Sequence, residues 1–319
     1  MTTKPLRLTH LHIPQRIPYA SSLRLQSHIL SQYYAWRLPL SGEQPDKKAA
    51  KPSIGLPALL TFTTHPTYTV GRRHLESDPL SQEQIDYLVA KDPHAQYAAD
   101  FYASSRGGLL TYHGPGQLTA YPIIDLRQHG LRARVYVRML EDVVIDTCKA
   151  VGVPNTAVSC TDPGVWMQDE SGEVADRKIC ALGVQVTRGV SSHGIGLNVI
   201  DEPIESENEE RYNFEDWKSV KTVDEFTKGY LSWGFGRIVA CGLEGKSTTW
   251  LAKERANRSR IDRHGLSMGK VANVLATKLA ESLGRIGKVE VEGVKGTTLG
   301  MLKHDDELRQ AAEEYTRSE

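Results

Sequence analysis

Cys241 stands in RIVACGLEGKST, residues 237–248, after an apolar run and before a glycine. The same segment ends in the Gly-Lys-Ser of a phosphate-binding loop, so two chemistries compete for it. A phosphate loop needs Gly-x-x-x-x-Gly-Lys-Ser/Thr, because the glycines let backbone N–H groups close on the phosphates. Counting back from Gly245-Lys246-Ser247, the first glycine should fall at 240, and that residue is Ala240. The match is incomplete, which leaves the thiol. A cysteine becomes a strong nucleophile when a neighbouring cation or base lowers its pKa. A cysteine followed by glycine does not decide this alone, since cysteines more often serve as small core residues.

A second block, RGGLLTYHGPGQLTAYPIIDL at 106–126, is more specific. Gly107 and Gly108 permit close approach of backbone to a ligand. His113-Gly114-Pro115-Gly116-Gln117 makes a turn with a histidine at its mouth. A plain β-hairpin explains the glycines and the proline. It leaves Arg106, His113 and Gln117 without a reason.

The elements that must carry these residues follow from periodicity. Helices are predicted over 22–37, 81–91, 133–151, 222–235 and 267–284. Cys148 lies on the apolar face of the third and reads as core. Strands are predicted at 58–63, 100–105, 109–113, 118–126, 165–167, 178–186 and 193–199, with 65–74 a loop bearing two arginines. Strands come in runs between helices rather than in strict βαβ alternation. That pattern predicts an α+β fold with a mixed or antiparallel sheet flanked by helices. The stretch 41–57 reads as an inserted loop, the acidic 201–216 as a solvated one, and the charged end as a helical tail.

Composition narrows the function. The chain has 319 residues, 39% hydrophobic and 24% charged, as an ordinary globular protein has. Lys+Arg and Asp+Glu both number 39, which argues against a nucleic-acid partner. No apolar stretch reaches the length of a membrane span. The four cysteines are scattered without zinc or disulfide spacing, so metal is not expected and a reducing compartment is. The first 37 residues carry Arg and Ser and no acid, as an organelle transit segment does, or they begin the fold.

Four blocks in series resemble the lipoyl(octanoyl) transferases, octanoyl-acyl-carrier-protein:protein N-octanoyltransferases. They are RGG-x-x-TYHGPGQL-x-x-YP-x-x-DL at 106–126, RKICALGVQV at 177–186, SSHGIGLNV at 191–199 and VACGLEGKSTTWL at 239–251. Together they span about residues 60–252. The resemblance implies a biotin/lipoate protein ligase-like catalytic fold over residues 1–255 and a helical C-terminal extension over 256–319. It implies transfer of an octanoyl or lipoyl group from acyl carrier protein to a lysine of lipoyl domains, those of 2-oxoacid dehydrogenase E2 subunits and the glycine-cleavage H protein. Cys241 would be the nucleophile and form a thioester acyl-enzyme, with Lys178 beside it as the cation that lowers its pKa. The pocket would be walled by Arg106, Gly107, Gly108, Leu109, Leu110, Thr111, Tyr112 and His113, by Ala181, Leu182 and Gly183, and by Gly194, Ile195 and Gly196. No cofactor is implied, because thioester exchange needs no ATP. The loop at 41–57, the acidic stretch, the tail and Ala240 in place of a usual proline depart from a compact bacterial form. They resemble fungal members, which implies a mitochondrial location.

Cys180, two residues from Lys178 and on the same face of a regular strand, is the alternative nucleophile. Cys160, in a loop, is a weaker one. The rival functions are an ATP-dependent lipoate or biotin protein ligase of the same fold and a non-catalytic acyl-carrier-binding protein. The first would need adenylate chemistry; the second would need neither Lys178 nor Cys241.

Overall fold

The run ALLTFT is apolar at successive positions, which suits a strand covered on both faces. The computed structural model describes residues 6–37, 51–52, 54–90, 99–159, 163–169, 171–200, 235, 238, 247–256, 266–284 and 289–293. In it β2 (Ala58–Thr64) is covered on both faces. Leu59 joins a core with α4 (Ala133–Ala150) and α6 (Met268–Gly284). Leu60 and Phe62 join a second core with Leu25 and Ile29 of α1 (Tyr19–Arg37). β6 (Gln117–Ile123) divides likewise, Leu118 and Ala120 to the first core, Tyr121 and Ile123 to the second.

Seven further strands complete this sheet among the described residues. They are β1 (Leu6–Ile17), β7 (Thr156–Val158), β8 (Val165–Gln168), β9 (Val174–Thr187), β10 (Val190–Asn198), β11 (Ser247–Thr248) and β12 (Val289–Gly293). The order is β12-β1-β2-β6-β10-β9-β8-β7, with β11 added on β9. β1 runs parallel to β2 and β12, and β11 parallel to β9; the other pairs are antiparallel. A smaller sheet, β4-β3-β5, is built from β3 (Thr67–Val70), β4 (Asp100–Ala103) and β5 (Thr111–His113). It packs Tyr68 and Tyr112 against Tyr87 and Leu88 of α3 (Gln82–Val89). The mixed sheet flanked by helices is the α+β class expected.

One local expectation changes. The 65–74 loop holds strand β3 and the start of a short helix, α2 (Arg72–Ser77). Four strand residues between Pro66 and Gly71 are too few to display a period. The N-terminal segment enters the sheet as β1, which sends Leu8 to one core and Leu11, Ile13 and Ile17 to the other, and its pairing with β2 shifts between His12 and Arg16. The boundary expected at 255/256 falls inside α5 (Leu251–Ala256). Beyond it, α6 packs in the α4 core and β12 pairs with β1, so this segment contributes a strand as well as a helix to the same sheet. The acidic 201–216 stretch, nearly all of the 222–235 helix and the charged tail lie outside the described residues, as does most of the 41–57 loop. Among the described residues no helix is long and apolar enough to cross a membrane.

The α4–α6 seam is the buried support of the sheet. Leu275 is fully buried in it. Leu275→Ala should cost about 2–5 kcal/mol, read as a lower midpoint in urea unfolding with an unchanged slope. A loss under about 0.5 kcal/mol would mean that the seam is not packed.

Candidate active site

The RGG block is a loop between β4 and β5, and its arginine points inward. Arg106 is 5% exposed. Its Nη2 donates to Thr69 O at 2.8 Å, Thr69 Oγ1 at 2.7 Å and Leu109 O at 3.0 Å, and Nη1 donates to Gly107 O at 3.0 Å. The side chain therefore binds the loop to itself and to β3. The loop backbone is tied as well: Gly107 N donates to Val184 O at 3.0 Å, Arg72 N to Arg106 O at 3.1 Å and Gly71 N to Leu109 O at 3.3 Å. Space for this comes from glycine. A Cβ on Gly183 would lie 3.0 Å from both Arg106 Cδ and Gly107 O, and one on Gly71 would collide with Gly108 O.

β9 and β10 bring two of the expected stretches into register. Ala181, Leu182 and Gly183 pair directly with Gly196, Ile195 and Gly194. Leu182 and Ile195 pack toward the α4 core, so they offer the site backbone rather than side chain. Gly183 and Gly196 face the other way, toward Arg106 and Gln117. There His113 is buried, its ring stacked on Tyr19 at 5.7 Å and its Nδ1 2.7 Å from Gln117 Oε1. Gln117 in turn meets Tyr112 O and Asn198 Oδ1, each at 3.1 Å, and Asn198 meets Thr249 O at 3.1 Å. His193, also buried, holds a left-handed φ of +55, with its N–H on Gln26 Oε1 of α1 at 2.7 Å. Burial, the Arg106 guanidinium and His193 hold the His113 pKa down to about 3, against the opposing Gln117 bond. Burial and then Arg106 hold His193 at about 4.

Lys178 is buried at 5% exposure in β9. Its ammonium lies 4.5 Å from the Trp166 ring centroid and donates to Pro163 O at 3.2 Å. The Pro163-Gly164 turn is held in place by Glu141 of α4, whose Oε1 accepts from Gly164 N at 3.0 Å. Cys180 is not on the same face. Val165 pairs with Cys180 and Trp166 with Lys178, so Ile179 is an extra residue and the alternation slips. The Cys180 thiol falls into the α4 core, where burial first and Cys148 second push its pKa up, against the pull of Lys178. A buried, protonated thiol is a poor nucleophile, which counts against Cys180. Cys148 is in the same core, as expected, with its pKa pushed up to about 12 by burial. Cys160 and Cys241 lie outside the described residues. The nearest described residues are Ile238 before Cys241 and Ser247 after it. Phe235 packs edge-on to Tyr112 at 5.6 Å, Ile238 packs with Trp166, and beyond the cysteine Ser247 and Thr248 pair with Arg177 and Lys178.

The model of the lipoyl protein ligase A/B catalytic domain matches residues 46–203. The octanoyl-acyl-carrier-protein:protein N-octanoyltransferase LIPT2, mitochondrial, of Danio rerio is 31% identical over 254 residues, covering 80% of this chain and 84% of that one. Its Homo sapiens counterpart is 32% identical over 240 residues, covering 75% and 80%. An octanoyltransferase of Acidobacterium capsulatum is 30% identical over 286 residues, covering 88% and 90%. The chain belongs to the lipoyl(octanoyl) transferase family. As an octanoyltransferase-family member it is an acyltransferase, and it is mitochondrial, as its vertebrate relatives are.

For this transferase the structure gathers Arg106 to His113, Ala181 to Gly183, Gly194 to Gly196 and Lys178 around β6, β10 and β9. Leu110 and Tyr112 pack into the small-sheet core. Trp166 and Glu141 were not singled out by sequence. Glu141 had a signal: it shares the spacing of Val144 and Cys148 on the apolar helix face, and a buried acid there needs a polar partner.

His10 is a third histidine held near a pKa of about 4, by burial and then His12. An unfolded histidine titrates near 6.5. Below that pH the unfolded chain binds protons that the folded one refuses, so stability falls as pH drops from about 6.5 toward 4. Urea unfolding at pH 7, 6 and 5 should show the decline. His193→Asn, which tolerates the left-handed backbone, should flatten it by about 1.4 kcal/mol per pH unit. An unchanged slope would mean His193 is charged in the folded state.

Proposed function

We propose that the protein transfers an octanoyl group from octanoyl-acyl carrier protein to a lysine of lipoyl domains, through a thioester on Cys241. The coarse activity, octanoyl transfer in protein lipoylation, follows from family membership. The acyl-enzyme, the two residues and the acceptors are our reading. Lipoyl domains of 2-oxoacid dehydrogenase E2 subunits and the glycine-cleavage H protein are the acceptors proposed.

The observation that carries the cysteine–lysine pair is the return of the Cys241 segment to the lysine strand. Thr249 N donates to Lys178 O at 2.9 Å, and Thr248 pairs with Lys178. On the other side Ile238 packs with Trp166, the ring beneath the Lys178 ammonium. The three residues from Ile238 to Cys241 span at most about 11 Å. A cation held on an apolar ring is a suitable neighbour for a thiolate.

The chemistry balances in two halves. The Cys241 thiolate attacks the octanoyl carbonyl, a new C–S bond forms, and the carrier's C–S bond breaks. Lys178 gives its proton to the departing carrier thiolate. The incoming lysine enters as the free amine; its nitrogen attacks the acyl-enzyme and expels the Cys241 thiolate, and the proton it loses as the amide forms goes to the neutral Lys178 amine. The first half exchanges one thioester for another and the second forms a more stable amide, so no nucleotide is required. The loop at Arg106 to Leu110 and the paired strands at Gly183 and Gly194 are assigned to the acyl pocket. Catalysis is assigned to residues 1–255, with 256–319 as support.

Purified protein incubated with octanoyl-acyl carrier protein, without ATP, should gain an octanoyl adduct in intact mass, cleaved by neutral hydroxylamine. Cys241→Ser should carry no such labile adduct. Lys178→Met should slow acylation by about 10²–10⁴-fold. A labile adduct surviving Cys241→Ser would move the nucleophile elsewhere. Product formed only with ATP and free octanoate would make the protein a ligase.

A further inference from the structure

Gln117 and Asn198 are direct cross-strand partners on β6 and β10, and their amides touch. A backbone carbonyl lies against each, and a carbonyl oxygen only accepts. At 3.1 Å from Thr249 O, Asn198 must present Nδ2, which leaves its Oδ1 to Gln117. At 3.1 Å from both Tyr112 O and Asn198 Oδ1, Gln117 must present Nε2 to both. Its Oε1 is what remains for His113 Nδ1 at 2.7 Å, and an amide oxygen brings no proton. The proton is therefore on Nδ1.

We infer that Gln117 and Asn198 are positioning residues that hold His113 as the Nδ1–H tautomer, with Nε2 as a lone-pair acceptor, and couple that choice to Thr249. The two backbone carbonyls fix the polarity of the whole chain, so neither amide flips alone without placing a carbonyl oxygen against a carbonyl oxygen. Gly196 belongs to the device. A Cβ there would lie 2.9 Å from Gln117 Oε1 and push the carboxamide off His113. Thr249 immediately follows β11, so the relay joins the RGG block to the end of the segment that carries Cys241. The tautomer itself is independent of the proposed reaction. Its use rests on the transferase reading, in which the incoming lysine must shed protons and an imidazole lone pair can accept a hydrogen bond.

The test is the ring-nitrogen chemical shifts of the full chain labelled with ¹⁵N in its histidines at pH 7, with His113→Gln to identify the signal. Wild type should show a protonated Nδ1 and a bare Nε2. The opposite tautomer, or an average of the two, overturns the inference. Gln117→Leu and Asn198→Ala should each shift the signal toward a mixture while the melting transition stays cooperative. Gln117→Glu keeps the acceptor, should keep Nδ1–H, and should raise the pH at which His113 titrates. Transfer from preformed octanoyl-enzyme to a lipoyl domain should slow roughly tenfold in Asn198→Ala, the effect of one lost hydrogen bond. A slower transfer with an unchanged tautomer would make Asn198 merely structural and sink the proposal. An enzyme with no octanoyl transfer at all, yet with the Nδ1–H pattern, would refute the reaction and leave the tautomer standing.

Discussion

The buried guanidinium of Arg106 is the constraint on which the site is built. Arginine does not give up its proton inside a protein, so its surroundings must adapt to a fixed positive charge. They do so in two ways. Carbonyls of Thr69, Gly107 and Leu109 converge on Nη1 and Nη2, each such charge-assisted bond contributing about 1.5–3 kcal/mol. Nearby imidazoles, already pressed toward neutrality by burial, are pressed further by the cation. One side chain thus fixes a loop shape and reinforces the burial that keeps two imidazoles neutral. A lysine would keep the charge but lose the planar fork that reaches β3 and the loop together.

The sheet order explains why these parts meet. β10 lies between β6 and β9. Gln117 comes from β6, Asn198 from β10 and Lys178 from β9, so the site runs across three adjacent strands. Glycine at 183 and 196 on this face leaves room for the RGG loop and for the Gln117 amide. On the opposite face the same strands present Leu182, Ile195 and Leu197 to α4. The alternation of a strand therefore separates chemistry from packing, and the slip at Ile179 is where both demands fall on neighbouring residues.

Much of this was legible in the sequence, and the failures have physical causes. Long helices and two-sided strands announce themselves, as α1, α4, α6, β2 and β6 do. β3 and α2 are too short to show a period, and the apolar residues of β1 change phase between Leu8 and Leu11 because the two serve different cores. β12 belongs to the sheet through a parallel pairing with β1 some 280 residues earlier, which no local pattern encodes. Lys178 and the glycines were legible as a cluster of unusual residue types. Their division between faces was not, because a one-residue bulge reverses every side chain beyond it. Arg106 drew attention as a pocket wall, whereas its donors turn away into the backbone.

The choice of lysine as the proposed partner of the thiol follows from the same electrostatics. The group must be a cation while the thiolate forms and an amine while the acceptor loses its proton. Histidine usually does such work, since it titrates near 6.5. Here that range is closed: burial and a permanent guanidinium leave His113 and His193 neutral to about pH 3 and 4. A histidine at 178 would meet similar burial and could not supply the positive charge. A lysine side chain starts about four pH units higher, which leaves room for a large downward pull before the cation is lost at neutral pH. The Trp166 face and Pro163 carbonyl then favour the ammonium form. Beside one permanent cation, the proposed proton-transfer role therefore suits lysine better than histidine.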